Sequence, residues 1–238
     1  MRVGMIAALP GELRPLVRCW QRSVAMDGAR RWTHASGVNI WIAVCAGMGA
    51  EAARRAFAAA EADGPLDLVL SVGWAGALVA DLRVGEAHAI STVIDAQTGE
   101  RFELAGGEAG LAVVTTARVA GTAEKVRLRE TYRGAVMVDM EAATVARMAQ
   151  MRGIPIACIK AVSDGVDAEL PEVNRFISAR GQLRMAAFLL YLALRPRYWG
   201  PMVRMGCNSS KAAQAMAALI LEFMEQQKLN RPSRPGTL

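Results

Sequence analysis

Short apolar runs alternate with helix-patterned stretches along the first two-thirds of the chain, and this alternation predicts an α/β fold. Residues 3–8, 40–46, 66–72, 111–115, 137–140 and 155–162 are compact, nearly continuous apolar segments, the pattern of strands covered on both faces. Residues 86–95 alternate weakly and read as a further strand, while 97–110 are polar and glycine-rich, a loop or hairpin. Helical spacing occupies 11–20, the alanine-rich 50–62, 122–129, and the stretch from Glu141 to Met151. Beyond Asp167 the pattern is helical only, over 182–194, 198–205 and 209–228, with breaks at Arg195-Pro196 and Gly200-Pro201 and a frayed end at 230–238. The expected architecture is a three-layer α/β/α sandwich around a twisted, mostly parallel central sheet. Residues 1–180 would form the core and 181–238 a helical extension packed on it.

Composition narrows the setting. A chain of 238 residues, 53% hydrophobic, can bury a substantial core. No stretch reaches the 18 or so apolar residues of a spanning helix, and residues 185–194 (MAAFLLYLAL) come nearest. With no secretory pattern at the N-terminus, a cytoplasmic protein is expected. Four cysteines without a C-x-x-C pair, and only two histidines, argue against a metal and for buried free thiols. The net charge of +6 is concentrated late. From Tyr191 onward Arg195, Arg197, Arg204, Lys211, Lys228, Arg231 and Arg234 face only Glu222 and Glu225. Such a tail points to nucleic acid or an anionic membrane. Few aromatics interleave with it and no nucleic-acid fold motif is present, which argues against nucleic acid.

The candidate chemistry lies at the ends of the apolar runs, where open α/β sheets bind ligands. Val138-Asp139-Met140-Glu141-Ala142-Ala143 and Val162-Ser163-Asp164-Gly165-Val166-Asp167 each put a carboxylate at such an end. Asp164 could protonate a departing base, or Ser163 and Asp164 could merely cap a turn. Glu141 could accept hydrogen bonds from two sugar hydroxyls, or could be an acid of the kind helix dipoles favour in a first turn. Glu12, just after the first strand, could take a proton from an attacking water or be a solvated helix residue. Gly47-Met48-Gly49 and Gly73-Trp74-Ala75-Gly76 follow strands, as ligand-cradling or as tight packing turns.

Together these segments resemble the nucleoside phosphorylase and nucleosidase superfamily over nearly the whole chain, most specifically in V-D-M-E-A-A and S-D-G-V-D. The resemblance implies that Asp164 protonates or hydrogen-bonds purine N7, that Glu141 holds the ribose hydroxyls, and that Met140 packs under the sugar. Glu12 matches the water-activating acid of methylthioadenosine/S-adenosylhomocysteine nucleosidases, and residues 116–119 match the base site, with Val119 the contact. Ser71 and Trp74 stand where hexameric phosphorylases hold phosphate, and Trp74 would fill that space, although Arg14 could still meet an anion. Phosphate is then an optional co-substrate, and no other cofactor or metal is implied. Leu170-Pro171, the Arg180-Gly181-Gln182 turn, Ala193-Leu194-Arg195-Pro196 and the basic helices are similar to hopanoid-associated phosphorylases, thought to remove adenine from an adenosyl-hopane lipid. The expected function is cleavage of the N-glycosidic bond of an adenine nucleoside with a bulky apolar 5′ group, by phosphorolysis or hydrolysis. The alternatives are a nucleosidase of soluble methylthioadenosine-type substrates, or an inactive nucleoside-binding or membrane-docking protein. Tyr198, Trp199 and Met202 beside an apolar helix suit the inner-membrane surface or a partner subunit, and a homodimer is the expected assembly.

Overall fold

The computed structural model describes residues 1–24, 28–168 and 171–229. Leu170, Arg231, Arg234 and the end expected to fray at 230–238 lie outside the described residues. Among the described residues ten strands form one sheet: β1 (Arg2–Ala7), β2 (Gln21–Val24), β3 (Arg30–Ser36), β4 (Asn39–Cys45), β5 (Leu68–Ala77), β6 (Ala87–Asp95), β7 (Arg101–Glu103), β8 (Glu108–Thr115), β9 (Ala135–Asp139) and β10 (Ile156–Asp164). The helices are α1 (Pro10–Leu13), α2 (Ala50–Glu61), α3 (Thr122–Thr131), α4 (Ala142–Met151), α5 (Met185–Ala193) and α6 (Trp199–Leu229).

The sheet runs β2-β3-β4-β1-β5 and then curls on itself. β5 pairs with both β10 and β9, and β10-β6-β8-β9 completes a ring. The pairings of β1 with β4 and β5, β5 with β10, and β8 with β6 and β9 are parallel. The other pairings are antiparallel, so the sheet is mixed rather than mostly parallel. The β2–β3 hairpin was not legible because its residues are polar and basic, as an edge needs.

The apolar runs are explained by cover on both sides. Val3, Met5, Trp41 and Leu70 pack against Ala212, Met216 and Ile220 of α6. Ile6, Ile42, Val44 and Val69 point the other way, onto Ala52, Ala56 and Phe57 of α2 and Val145 of α4. Alternation of side chains across a strand therefore gives two cores from one sequence run.

Several boundaries differ from expectation for local reasons. The helix expected over 11–20 ends at Leu13, because Pro15 has no N–H to continue it. Gly73 to Gly76 is not a turn after a strand but part of β5, which continues to Ala77. Residues 97–110, expected as a loop or hairpin, hold the β6–β7 hairpin, with β7 antiparallel to β6, and then the start of β8. The two helices expected over 198–205 and 209–228 are one, α6, since Pro201 falls in its first turn, where a missing N–H costs nothing.

Candidate active site

The curled sheet gathers its strand ends around one cavity of about 210 Å³, far larger than the ~30 Å³ share of a single water. Glu12, Trp74, Met140, Glu141, Ser163 and Asp164 all line it, together with Met48 and Val119. The two carboxylates singled out at neighbouring strand ends thus face the same space, and Glu12 joins them.

Glu12 sits in α1, whose short length turns its side chain back over the end of β1. Its Oε2 accepts from the backbone N–H groups of Ala8 and Leu9, both at 2.8 Å, and its Oε1 accepts from the Trp74 amide at 3.0 Å. Burial nonetheless pushes this carboxyl above the ordinary range, against the pull of those amides. Gly73 makes the approach possible: a Cβ there would stand 3.0 Å from Glu12 Oε1.

Glu141 occupies the N-cap of α4, and its Oε1 accepts from the Gly49 amide at 2.6 Å. Burial first, and then the neighbouring Asp139 carboxylate, push Glu141 up to about 8. Behind it lies a group the sequence reading missed. Lys160 is buried in the middle of β10 and pairs with Asp139 at 2.7 Å, while Asp139 also accepts from Thr115 Oγ1 and the Ala142 amide. Burial alone would push the Lys160 ammonium down, but Asp139 holds it above the ordinary lysine range. A lysine inside an apolar strand needs a buried partner, and that was the available signal.

Asp164 ends β10 just past a register shift between Val162 and Asp164, which re-aims the chain at its end. Ser163 Oγ donates to Asp164 Oδ1 at 2.6 Å. The other oxygen, Oδ2, is ion-paired with Lys125 of α3, whose ammonium also donates to the Gly165 carbonyl at 2.6 Å. The pair is not sealed off, since both residues line the cavity. Lys125 was also missed; its only trace in the sequence is its phase with the buried Leu128 one turn on.

The remaining expected residues divide. Gly49 borders an adjoining groove and feeds Glu141, whereas Gly47 packs on Gly181, where a Cβ would come within 2.5 Å of a carbonyl oxygen. The Gly181 carbonyl in turn accepts from the Met48 amide at 2.8 Å, so the Arg180-Gly181-Gln182 turn is docked against the Gly47-Met48-Gly49 segment. Val119 exchanges hydrogen bonds with the Asn174 side-chain amide, at 2.9 and 3.0 Å, which ties the base-site segment to the chain that follows β10. Arg14 is exposed at the end of α1 and is not part of the cavity lining, and Ser71 is buried within β5. Only Cys45 and Cys158 are the buried thiols expected, with burial pushing each to about 12; Cys19 and Cys207 are exposed.

Fold and cavity define a mixed α/β protein whose strand ends enclose one carboxylate-lined cavity. Residues 108–193, which carry Val119, Glu141 and Asp164, match the family model described as the phosphorylase superfamily. Among solved structures, the chain is similar to a 5′-methylthioadenosine/S-adenosylhomocysteine nucleosidase from Helicobacter pylori, with a TM-score of 0.71 and 15% identity over 95% of this chain and 98% of that one. The futalosine hydrolase of Helicobacter pylori strain 26695 gives 0.71 and 15%, over 95% and 98%. The 5′-methylthioadenosine/S-adenosylhomocysteine nucleosidase of S. pneumoniae gives 0.69 and 19%, over 94% and 99%. A comparison with curated protein sequences finds no match.

Proposed function

We propose that this protein cleaves the N-glycosidic bond of an adenine nucleoside bearing a large apolar 5′ substituent, and that water is the nucleophile. The observation that carries the reading is the convergence of Glu12, Glu141 and Asp164 on one cavity. The similar solved structures include nucleosidases bound to nucleoside-like inhibitors, which supports a nucleoside as ligand. In this arrangement the base lies at Asp164 and Val119, and the ribose lies over Met140 with its hydroxyls on Glu141. Water beside Glu12 attacks C1′. Its proton passes to the Glu12 carboxyl, which burial pushes above the ordinary range. Trp74 packs against Gly11, with a Gly11 Cβ position only 3.0 Å from its ring, and a bulky ring at the position the resemblance gives to phosphate supports water as the nucleophile.

The apolar 5′ group rests on the outer wall. Leu183, Phe188 and Met205 carry the cavity lining out onto α5 and α6. Beyond them Leu190, Leu194, Trp199 and Val203 are 63, 71, 55 and 68% exposed, amid Arg195, Arg197 and Arg204. An exposed apolar ridge rimmed by arginines fits an anionic bilayer surface, from which a lipid-linked nucleoside such as an adenosyl-hopanoid would enter. Among the described residues no helix is long and apolar enough to cross a membrane.

The test is release of free adenine from adenosine, 5′-methylthioadenosine and a 5′-alkylthio series, with and without phosphate. Release that is independent of phosphate and favours the longest alkyl chain is expected. Release only with phosphate would overturn the hydrolytic reading, and no release from any of them would leave a binding protein.

A further inference from the structure

Asp164 is cast as an acid, yet the structure surrounds it as an anion. One oxygen is paired with the Lys125 ammonium and the other accepts from the Ser163 hydroxyl. A carboxyl group so placed has no proton of its own to give, and the proton must come from elsewhere. Lys125 is the only group of the three that carries a surplus proton.

Its placement is costly and specific. Lys125 is 2% exposed, on a helix whose neighbouring residues Glu124 and Arg127 pair with each other at the surface. Burying an ammonium requires compensation, and two of its three donors are used by Asp164 and the Gly165 carbonyl. β5 makes room for the pair at Gly76, where a Cβ would stand 2.9 Å from Asp164 Oδ2 and 3.0 Å from Lys125 Cε. Three elements, α3, β5 and β10, thus build one enclosed lysine–carboxylate couple whose open side is the cavity.

We propose that Lys125 is a positioning residue that supplies, through Asp164, the proton taken up by the leaving purine. The inference rests on the glycosidic-cleavage reading above. As the C1′–N9 bond breaks, its electron pair goes to the purine, and N7 takes a proton that the Lys125 ammonium passes through the Asp164 carboxylate in the same movement. Asp164 ends as the anion it began as, and Lys125 is left as a neutral amine. The attacking water forms the new C1′–O bond and gives its proton to Glu12. Exchange with solvent then returns a proton to Lys125 and removes one from Glu12, so the cycle closes with one water consumed.

The experiment compares wild type, Lys125→Met and Lys125→Arg by steady-state adenine release, with thermal melting to check folding. Methionine keeps the length and apolar stem without a proton to transfer. Arginine keeps the charge but holds its protons too tightly to donate. The expected result is a kcat lower by about 10²-fold or more in both variants, the usual contribution of a general acid, with KM within about threefold. Full recovery in Lys125→Arg would overturn the proposal, because charge alone would then suffice. Unchanged kcat in Lys125→Met would overturn it as well. Should either variant melt early, Gly76→Ala provides the second probe. It retains both charges but displaces their contact, and is expected to lower kcat more than it raises KM; a rise in KM alone counts against the proposal. If wild type itself releases no adenine, the cleavage reading fails, which is a different outcome from an active wild type with an indifferent Lys125.

Discussion

The floor and the outer wall of the cavity are built on opposite principles. The floor is made from strand ends and first turns, and each carboxylate there is held by backbone amides or a lysine: Glu12 by three amides, Glu141 by Gly49, and Asp164 by Lys125. Its groups are fixed before a ligand arrives, as transition-state stabilisation requires. The wall, from α5 and the start of α6, offers apolar side chains without polar partners and continues outward into an exposed ridge. On the proposed reading, the floor acts on the glycosidic bond and the wall on the group attached to the sugar.

That division can be broken from either side. The largest effect is expected on the floor: Asp164→Asn should lower kcat by about 10²-fold or more on every nucleoside tested, whatever its 5′ group. Unchanged turnover would remove Asp164 from the reaction. On the wall, Phe188→Ala should raise KM by about tenfold for a long 5′-alkylthio nucleoside, in keeping with the ~1.5–3 kcal/mol of a buried aromatic, and leave adenosine nearly unaffected. An equal change for both substrates would mean that the wall does not sort them. A smaller effect of several-fold is expected further out, where replacing Leu194 and Trp199 together by serine should weaken sedimentation with vesicles containing anionic lipid while leaving turnover of soluble nucleosides intact. Should the ridge instead seat a second copy of the chain, the double variant would change mass in solution and not vesicle binding.

The smallest effect concerns pH. Glu141 is held at about 8 in the fold, above its ordinary value of 4.5. The folded state therefore keeps a proton that the unfolded chain loses, and the stability tied to it is full below about 4.5 and declines as pH rises through about 8. The melting temperature should fall across that window, and Glu141→Gln should flatten the decline. An unchanged slope would show that Glu141 does not carry it.

The sequence made the floor more legible than the wall. Strand ends could be placed because β1, β4, β5 and β10 are apolar on both faces, and a carboxylate following such a run stands out. The ring closure of the sheet was not legible, since β5 pairs with both β9 and β10 and no local pattern records a second partner. Asp139, Lys160 and Lys125 escaped for a related reason. Each is buried by a partner distant in sequence, Lys125 by Asp164 and Lys160 by Asp139; only Lys160, inside an apolar run, carried a local sign of burial, and no local pattern named its partner. Arg14, conversely, was close to the right residues in sequence, but Pro15 ended its helix and left the side chain outside the cavity lining. The outer wall was foreshadowed only as an apolar helix beside arginines, because its contact with the cavity depends on how the chain after β10 folds back, tied by Asn174 to Val119 and by Gly181 to Met48.

The most direct measurement is a crystal structure with a non-cleavable adenosine analogue carrying a 5′-alkylthio chain. The account predicts purine N7 within hydrogen-bond distance of Asp164, the ribose hydroxyls on Glu141, and the alkyl chain along Phe188 toward α6. A nucleoside bound with its base at Glu141, or outside the space shared by the three carboxylates, would contradict it.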